Sequence, residues 1–369
     1  MRLYEKRALG NLAIFAGALL IILYLNHGSG SQHVSRGLGW DHVRYQSSSS
    51  APSSQGVCSM TADTLPALVV AWSPGDGDIA WLERLRTKYH LCVYTTATDN
   101  TSAAHLPLPA NRGHESMAYL TFIIDNYDSI PEAGAVFVHG SRFSWHNDQP
   151  TYDNAAVLEQ LNVSSALRDL GYHNLRCDWS ASTCSPSYGP PQASFETRMN
   201  AKLQPWDSRS VSDAALSHAL SSLFGGRGDT GAALGREDRV QSQCCAQFVV
   251  SREHIHDHTR EEYVAIRQWL LDGSKDRPNR PKNAAPADDK VAGRILSYIW
   301  HILFLSTGRD GKHDLSRLND LACPSAAECY CRLFGICDFQ TCTGPDRCEG
   351  RYVLPPGLTL PGDWTSTHL

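Results

Sequence analysis

The run His139-Gly140-Ser141-Arg142-Phe143-Ser144-Trp145-His146-Asn147-Asp148 gathers chemistry-bearing side chains within ten residues. It follows directly on the apolar stretch Ala135–His139. His139, His146 and Asp148 are the candidate catalytic groups, because imidazoles and carboxylates exchange protons near neutral pH or hold a metal ion. Trp145 offers a ring face on which a sugar or base stacks, and Arg142 and Asn147 offer hydrogen bonds to a substrate. The plain alternative is a solvated loop with its tryptophan anchored in the core. Polar groups concentrated past the end of a buried strand favour a site.

A second cluster is Asn111-Arg112-Gly113-His114-Glu115, at the opening of an amphipathic helix. Asn111 near the N-cap and Glu115 in the first turn are ordinary helix-start residues. Free backbone N–H groups there, with Arg112 and Gly113, could also receive a diphosphate. Both readings stay open, and Asn111, Arg112, Gly113 and Glu115 are carried as candidate donor-binding residues. Asp76-Gly77-Asp78 presents two carboxylates on a turn, a pattern that suits Mn2+ or Mg2+. Turn chemistry explains the same residues and is preferred, with the metal role of Asp76 and Asp78 kept as the alternative. His254, His256 and His258 are read as surface histidines in preference to a metal site, and His301 as a hydrogen-bonded core histidine in preference to a catalyst.

The elements that must position these groups follow from periodicity. Residues 65–72 (LPALVVAW), 91–95 (LCVYT) and Ala135–His139 (AVFVH) read as buried strands. Residues 79–88 carry apolar side chains at 79, 82 and 85, read as a helical stripe. Residues 115–127 form a strong amphipathic helix that Pro131 stops. Residues 247–251 are a fourth strand, 260–271 a helix, and 291–305 one largely apolar core helix. Strands alternating with helices predict an α/β fold, a mostly parallel sheet flanked by helices, with ligands at the carboxyl ends of its strands. The RGD tripeptide at 227–229 is given no function.

Residues 12–25 (LAIFAGALLIILYL) are uncharged and follow Arg2, Lys6 and Arg7. With residues 8–11 they are long enough to span a bilayer, and the positive flank keeps the short N-terminus cytosolic. A cleaved signal peptide is the alternative, disfavoured because no small-x-small cleavage site follows. The expected layout is a cytosolic tail at 1–7, a transmembrane signal-anchor at 8–25 and a flexible stem at 26–60. A lumenal α/β domain at 61–315, a Cys-rich segment at 316–350 and a tail at 351–369 complete it.

Twelve cysteines and the sequons at Asn100 and Asn162 agree with an oxidising, glycosylating compartment. Cys323, Cys329, Cys331, Cys337, Cys342 and Cys348 crowd into one segment without histidine, so a disulfide knot is favoured over zinc. Cys177 and Cys184 are taken to close a short loop. The net charge of −5 and the lack of a basic block beyond the N-terminus speak against nucleic acid as a partner. No serine-nucleophile elbow, P-loop or GxGxxG after a strand is present.

Residues 111–131 (NRGHESMAYLTFIIDNYDSIP) and 136–148 (VFVHGSRFSWHND) together resemble the fungal domain of unknown function 3431 family. CCAQFVVSREHI at 244–255, GRILSYIWHILF at 293–304 and the CYC–GIC run at 329–337 extend the match, which covers about residues 65–340. The resemblance fixes kinship rather than chemistry. It implies an Asn-x-Gly-x-Glu opening at Asn111, Gly113 and Glu115. It also implies a glutamate where this chain has Ser297.

The layout is also similar to A-type glycosyltransferases, many of which are Golgi proteins with the same tail, anchor, stem and domain. On that analogy the expectation is a single-pass type II membrane glycosyltransferase-like enzyme. It would use a nucleotide sugar, with Mn2+ or Mg2+, on a glycan, protein or small molecule. The alternatives are a non-catalytic, disulfide-stabilised lumenal or cell-surface binding module, or an accessory protein of a fungal biosynthetic pathway.

Overall fold

The computed structural model describes residues 3–27, 37–60, 64–97, 105–149, 151–185, 187–225, 231–305, 313–337, 342 and 344–348. Asn100, the RGD tripeptide and the C-terminal tail lie outside them. The chain opens with helix α1 (Leu3–His27) and the short strand β1 (Gly37–Leu38). There follow β2 (Ala67–Trp72), β3 (His90–Thr95), β4 (His105–Pro107), α2 (Glu115–Asp125) and β5 (Ala135–His139). Next come α3 (Asn154–Gln160), α4 (Val163–Leu167), β6 (Tyr172–Asn174), α5 (Phe195–Leu203), α6 (Ser208–Phe224), β7 (Phe248–Val250), α7 (Arg252–His256) and α8 (Arg260–Asp272). The remainder is α9 (Asp289–Ser297), α10 (Trp300–Phe304), β8 (His313–Asp314), α11 (Leu315–Ala322) and α12 (Ala326–Phe334).

The main sheet has the order β4-β3-β2-β5-β7-β6. β2 pairs in parallel with both β3 and β5, and β3 with β4. β7 runs antiparallel between β5 and β6, which leaves β6 aligned with the parallel set. Alternation along each strand sorts the core into two layers. Ala67, Val69, Ala135, Phe137 and Phe248 face one cluster with Tyr119, Phe122, Trp269 and Trp300 from the helices. Leu68, Val70, Val136, Val138 and Val249 face the other, with Trp81, Leu85, Leu158 and Tyr330. Burial on both faces explains why β2 and β5 read as unbroken apolar runs.

Several expectations change. Residues 80–85 form 3-10 turns rather than an α-helix, and their apolar positions at 79, 82 and 85 carry the period of three of that geometry. The stretch 291–305 is two helices, because Tyr298 and Ile299 close α9 with i−3 bonds to Ile295 and Leu296.

The largest correction concerns the stem. Residues 37–60 are packed on the domain: Trp40 is buried and its Nε1 donates to the Ala232 carbonyl at 2.9 Å. The serines expected to be a flexible spacer serve a buried carboxylate. Tyr45, Ser47 and Ser49 hydroxyls donate to Asp272 at 2.7, 2.7 and 2.8 Å, and Arg277 pairs with it. An acceptor-only group inside the protein requires such donors.

All described cysteines are paired. The bonds are Cys58–Cys92, Cys177–Cys329, Cys184–Cys323, Cys244–Cys245, Cys331–Cys337 and Cys342–Cys348. Cys177 and Cys184 therefore do not close a loop on each other. They tie the segment after β6 to the end of α11 through Cys323 and to the body of α12 through Cys329. One helix, α1, is long and apolar enough to cross a membrane among the described residues. Together with the disulfides it points to a secretory-pathway protein.

Candidate functional site

The switch point of the sheet lies between β2 and β5, since the chain winds outward from β2 to β4 and then returns to β2's other side. Ligands in open α/β sheets bind in the crevice outside the strand ends at such a point. Here β2 ends at Trp72 and β5 at His139. Gly140 is required by the close approach of the two exits: a Cβ there would stand 2.9 Å from the Trp72 Cα. The loops are joined one step further on, where the Ser141 hydroxyl donates to Asp76 Oδ1 at 2.8 Å.

The loop after β5 folds back on itself. Asn154 N donates to the Arg142 carbonyl at 2.7 Å and Ser144 N to the Tyr152 carbonyl at 3.3 Å. Inside it, Asn147 Nδ2 donates to the carbonyls of Arg142 and Tyr152 at 3.1 and 2.8 Å. That fixes Asn147 Oδ1 toward His139 Nε2, 2.9 Å away. Oδ1 can only accept, so His139 carries its proton on Nε2. The same Oδ1 accepts from Gln247 Nε2 at 3.0 Å, and Gln247 Oε1 accepts from Asn154 Nδ2 at 3.0 Å. A chain of three buried amides thus ends on His139. Gln247 enters from the residue before β7, next to the Cys244–Cys245 pair; that strand's start lies at the same sheet edge because β7 is antiparallel.

His146 stands edge-on to His139 with ring centroids 4.7 Å apart, and the Ser144 hydroxyl bonds its Nδ1 at 3.0 Å. Burial holds His139 below the usual imidazole range, opposed by Glu115, Asn147, Asp76 and the Ser141 main chain. His146 is pushed down to about 3, first by burial and then by His139 and the Arg176 guanidinium. Both imidazoles are therefore neutral at pH 7. Trp145 is 51% exposed beside them, its ring 5.4 Å from His146 and 6.0 Å from the Arg176 guanidinium. Arg176 in turn donates to the His146 carbonyl at 2.7 Å.

The other sequence candidates divide. Glu115 is near enough to His139 to act on it electrostatically. Arg112 does not serve the cleft. It donates to the carbonyls of Leu270, Gly273, Pro286 and Ala287 and pairs with Asp289 at 2.8 Å, pinning α2 to the end of α8 and the start of α9. Gly113 has φ 74 and its N–H donates to Asp289 at 2.6 Å, while Asn111 is exposed. Arg142 grips Asp153 through two bonds at 3.1 and 2.8 Å, fixing the loop to the N-cap of α3.

Asp148, expected as a catalytic group, is a structural acceptor. It takes the Cys177 N–H at 2.7 Å and the Tyr330 hydroxyl at 3.0 Å. Asp76 and Asp78 cap separate turns, through Ser73 N at 2.7 Å and Ala80 N at 2.8 Å. Among the described residues no group of three or more His, Cys, Asp or Glu side chains is placed to hold a metal ion. His254, His256 and His258 bond Ser251, the Tyr127 carbonyl and Glu262 in turn. His301 is buried, and neither of its ring nitrogens has a partner. Asn162 is exposed, and its side-chain oxygen caps α4 through Ser165 N. Sequence reasoning missed Asn154, Gln247 and Arg176. Only Gln247 left a signal, a polar residue opening an apolar strand.

A comparison with curated proteins found no match, and neither did one with solved structures. Residues 68–332 match the model of the family described as protein of unknown function (DUF3431), a span that holds every residue of the cleft. The chain belongs to the DUF3431 family.

Proposed function

We propose that the cleft between the β2 and β5 exits is a sugar-binding active site of a membrane-anchored, glycosyltransferase-like enzyme facing the lumen. The single observation that carries this reading is the contact between the imidazoles of His139 and His146 at the switch point, beside an exposed Trp145. A neutral imidazole can take the proton of a sugar hydroxyl as that oxygen attacks, and an exposed indole can stack on the sugar ring. The amide chain through Asn147 sets the tautomer of His139, with its proton on Nε2. The carboxylates near the cleft, Asp76 and Glu115, would oppose a diphosphate unless Mn2+ or Mg2+ accompanied it. A nucleotide-sugar donor would therefore have to bring its own divalent cation, since among the described residues no group is placed to hold one.

A second reading is a non-catalytic glycan-binding module. It is favoured by the engagement of Arg112, Arg142 and Asp148 in local structure, which removes three groups that the enzymatic reading had given to the donor and to proton transfer. The test is titration of the full chain with UDP- and GDP-sugars, with and without Mn2+, and with free oligosaccharides. Saturable binding of a nucleotide sugar followed by its turnover supports the first reading. Oligosaccharide binding without turnover supports the second.

A further inference from the structure

The end of α5 and the turn after it present a face unlike the rest of the domain. Met199 and Leu203 stand four residues apart on the helix and Trp206 follows, at 36%, 64% and 79% exposure. Residues spaced four apart share one side of a helix. Trp206 is the most exposed large apolar side chain among the described residues. Arg198 and Lys202, also four apart, form an exposed basic row alongside. An apolar row flanked by cations is the composition of a surface lying in a membrane interface. There the indole sits at headgroup level, the aliphatic groups enter the acyl boundary and the cations reach outward.

Position supplies an independent argument. α1, the helix long and apolar enough to cross a bilayer, lies against α5. Residues 28–36 connect α1 to β1, which is already packed on the domain through β8. Nine residues span about 30 Å even when fully extended. A short connection therefore keeps the domain close to any membrane that α1 crosses.

We propose that Met199, Leu203 and Trp206 rest in the surface of the bilayer that α1 spans, with Arg198 and Lys202 toward the lipid phosphates. The domain is then held in a fixed attitude on the membrane instead of swinging on a stem. The inference rests on α1 as a membrane span and is independent of the sugar-site reading.

The test uses the full chain in phosphatidylcholine nanodiscs, with and without acyl chains brominated near the headgroup. Bromine quenches only tryptophans that reach the lipid. The expected result is a loss of emission in the wild type that largely disappears in Trp206→Phe and in Leu203→Glu, and that persists in Trp145→Phe. Equal quenching in the wild type and Trp206→Phe would overturn the proposal. So would a concentration-dependent cross-link between α5 helices without lipid quenching, which would assign the face to a second copy. A chain that fails to co-elute with the nanodiscs overturns the anchor and the proposal together, and leaves the cleft between β2 and β5 untouched.

Discussion

The Ser141 hydroxyl donates to Asp76 Oδ1 at 2.8 Å, joining the loop that leaves β5 to the loop that leaves β2. Asp76 is itself held by the Ser73 N–H, so the bond transmits a fixed position from one side of the switch point to the other. The two exits are thereby held together, with His139 at the end of β5.

The amide chain behind His139 predicts a stability cost that is separate from function. Replacing Gln247 by Leu leaves Asn154 Nδ2 without its acceptor and Asn147 Oδ1 with one donor fewer inside the protein. A buried polar group stripped of its partner costs about 1–3 kcal/mol. Urea denaturation of Gln247→Leu should show a loss in that range, and an unchanged midpoint would mean that the chain is not load-carrying.

Acid should destabilise the fold through its buried imidazoles. His146 and His301 are pushed down to about 3 and His173 to about 4, in each case first by burial, and His139 is lowered by the same cause. Their folded values lie below the unfolded value of about 6.5. The unfolded chain therefore binds more protons in the window between, and stability falls as pH drops from about 6.5 toward 3. Thermal melts across this window should show a falling Tm, with a shallower fall in His301→Phe. A flat profile down to pH 4 would contradict the burial of these rings.

The serine-rich segment should be part of the folded domain. A chain begun at residue 37 keeps Trp40 and the hydroxyls that satisfy Asp272, whereas one begun at residue 61 loses both and breaks Cys58–Cys92. The first should express as a cooperative folder and the second should aggregate or melt much lower. The double change Ser47→Ala and Ser49→Ala should cost about 1–3 kcal/mol in the intact chain.

The two long-range disulfides should matter more than the three short ones. Cys177–Cys329 spans 152 residues and Cys331–Cys337 spans 6. In the chain-entropy picture the longer closure restricts the unfolded state more. Because the two long bonds are nested, removing Cys177, Cys329, Cys184 and Cys323 together should cost about 2–5 kcal/mol by chemical denaturation, and removing Cys331 and Cys337 clearly less. The reverse order would show that strain or residual structure dominates.

Much of this was legible in the chain because the signals were local. Ala135–His139, four apolar residues and a histidine, stand in the structure with the bounds read from the sequence, and the polar loop after them lies at the sheet edge. β4 and β6, three residues each, are too short to show a period. Ser47 and Ser49 look like a spacer because their partner, Asp272, lies more than 200 residues away. Arg112 and Asp148 illustrate the same limit from the other side. Their residue types suit a ligand, but distant carbonyls, N–H groups and the Tyr330 hydroxyl occupy them, and sequence spacing cannot reveal such long-range claims.

The central claim is that His139, His146 and Trp145 line one ligand cleft at the β2–β5 switch point. It is tested most directly by following the imidazole resonances and tryptophan emission of the full chain during titration with UDP- and GDP-sugars, with and without Mn2+, and with oligosaccharides. The account predicts a saturable change with at least one of these ligands. Trp145→Ala should weaken it about tenfold, and His139→Ala should remove the responding imidazole signal. No response to any of them, or a response that survives both substitutions unchanged, would contradict it.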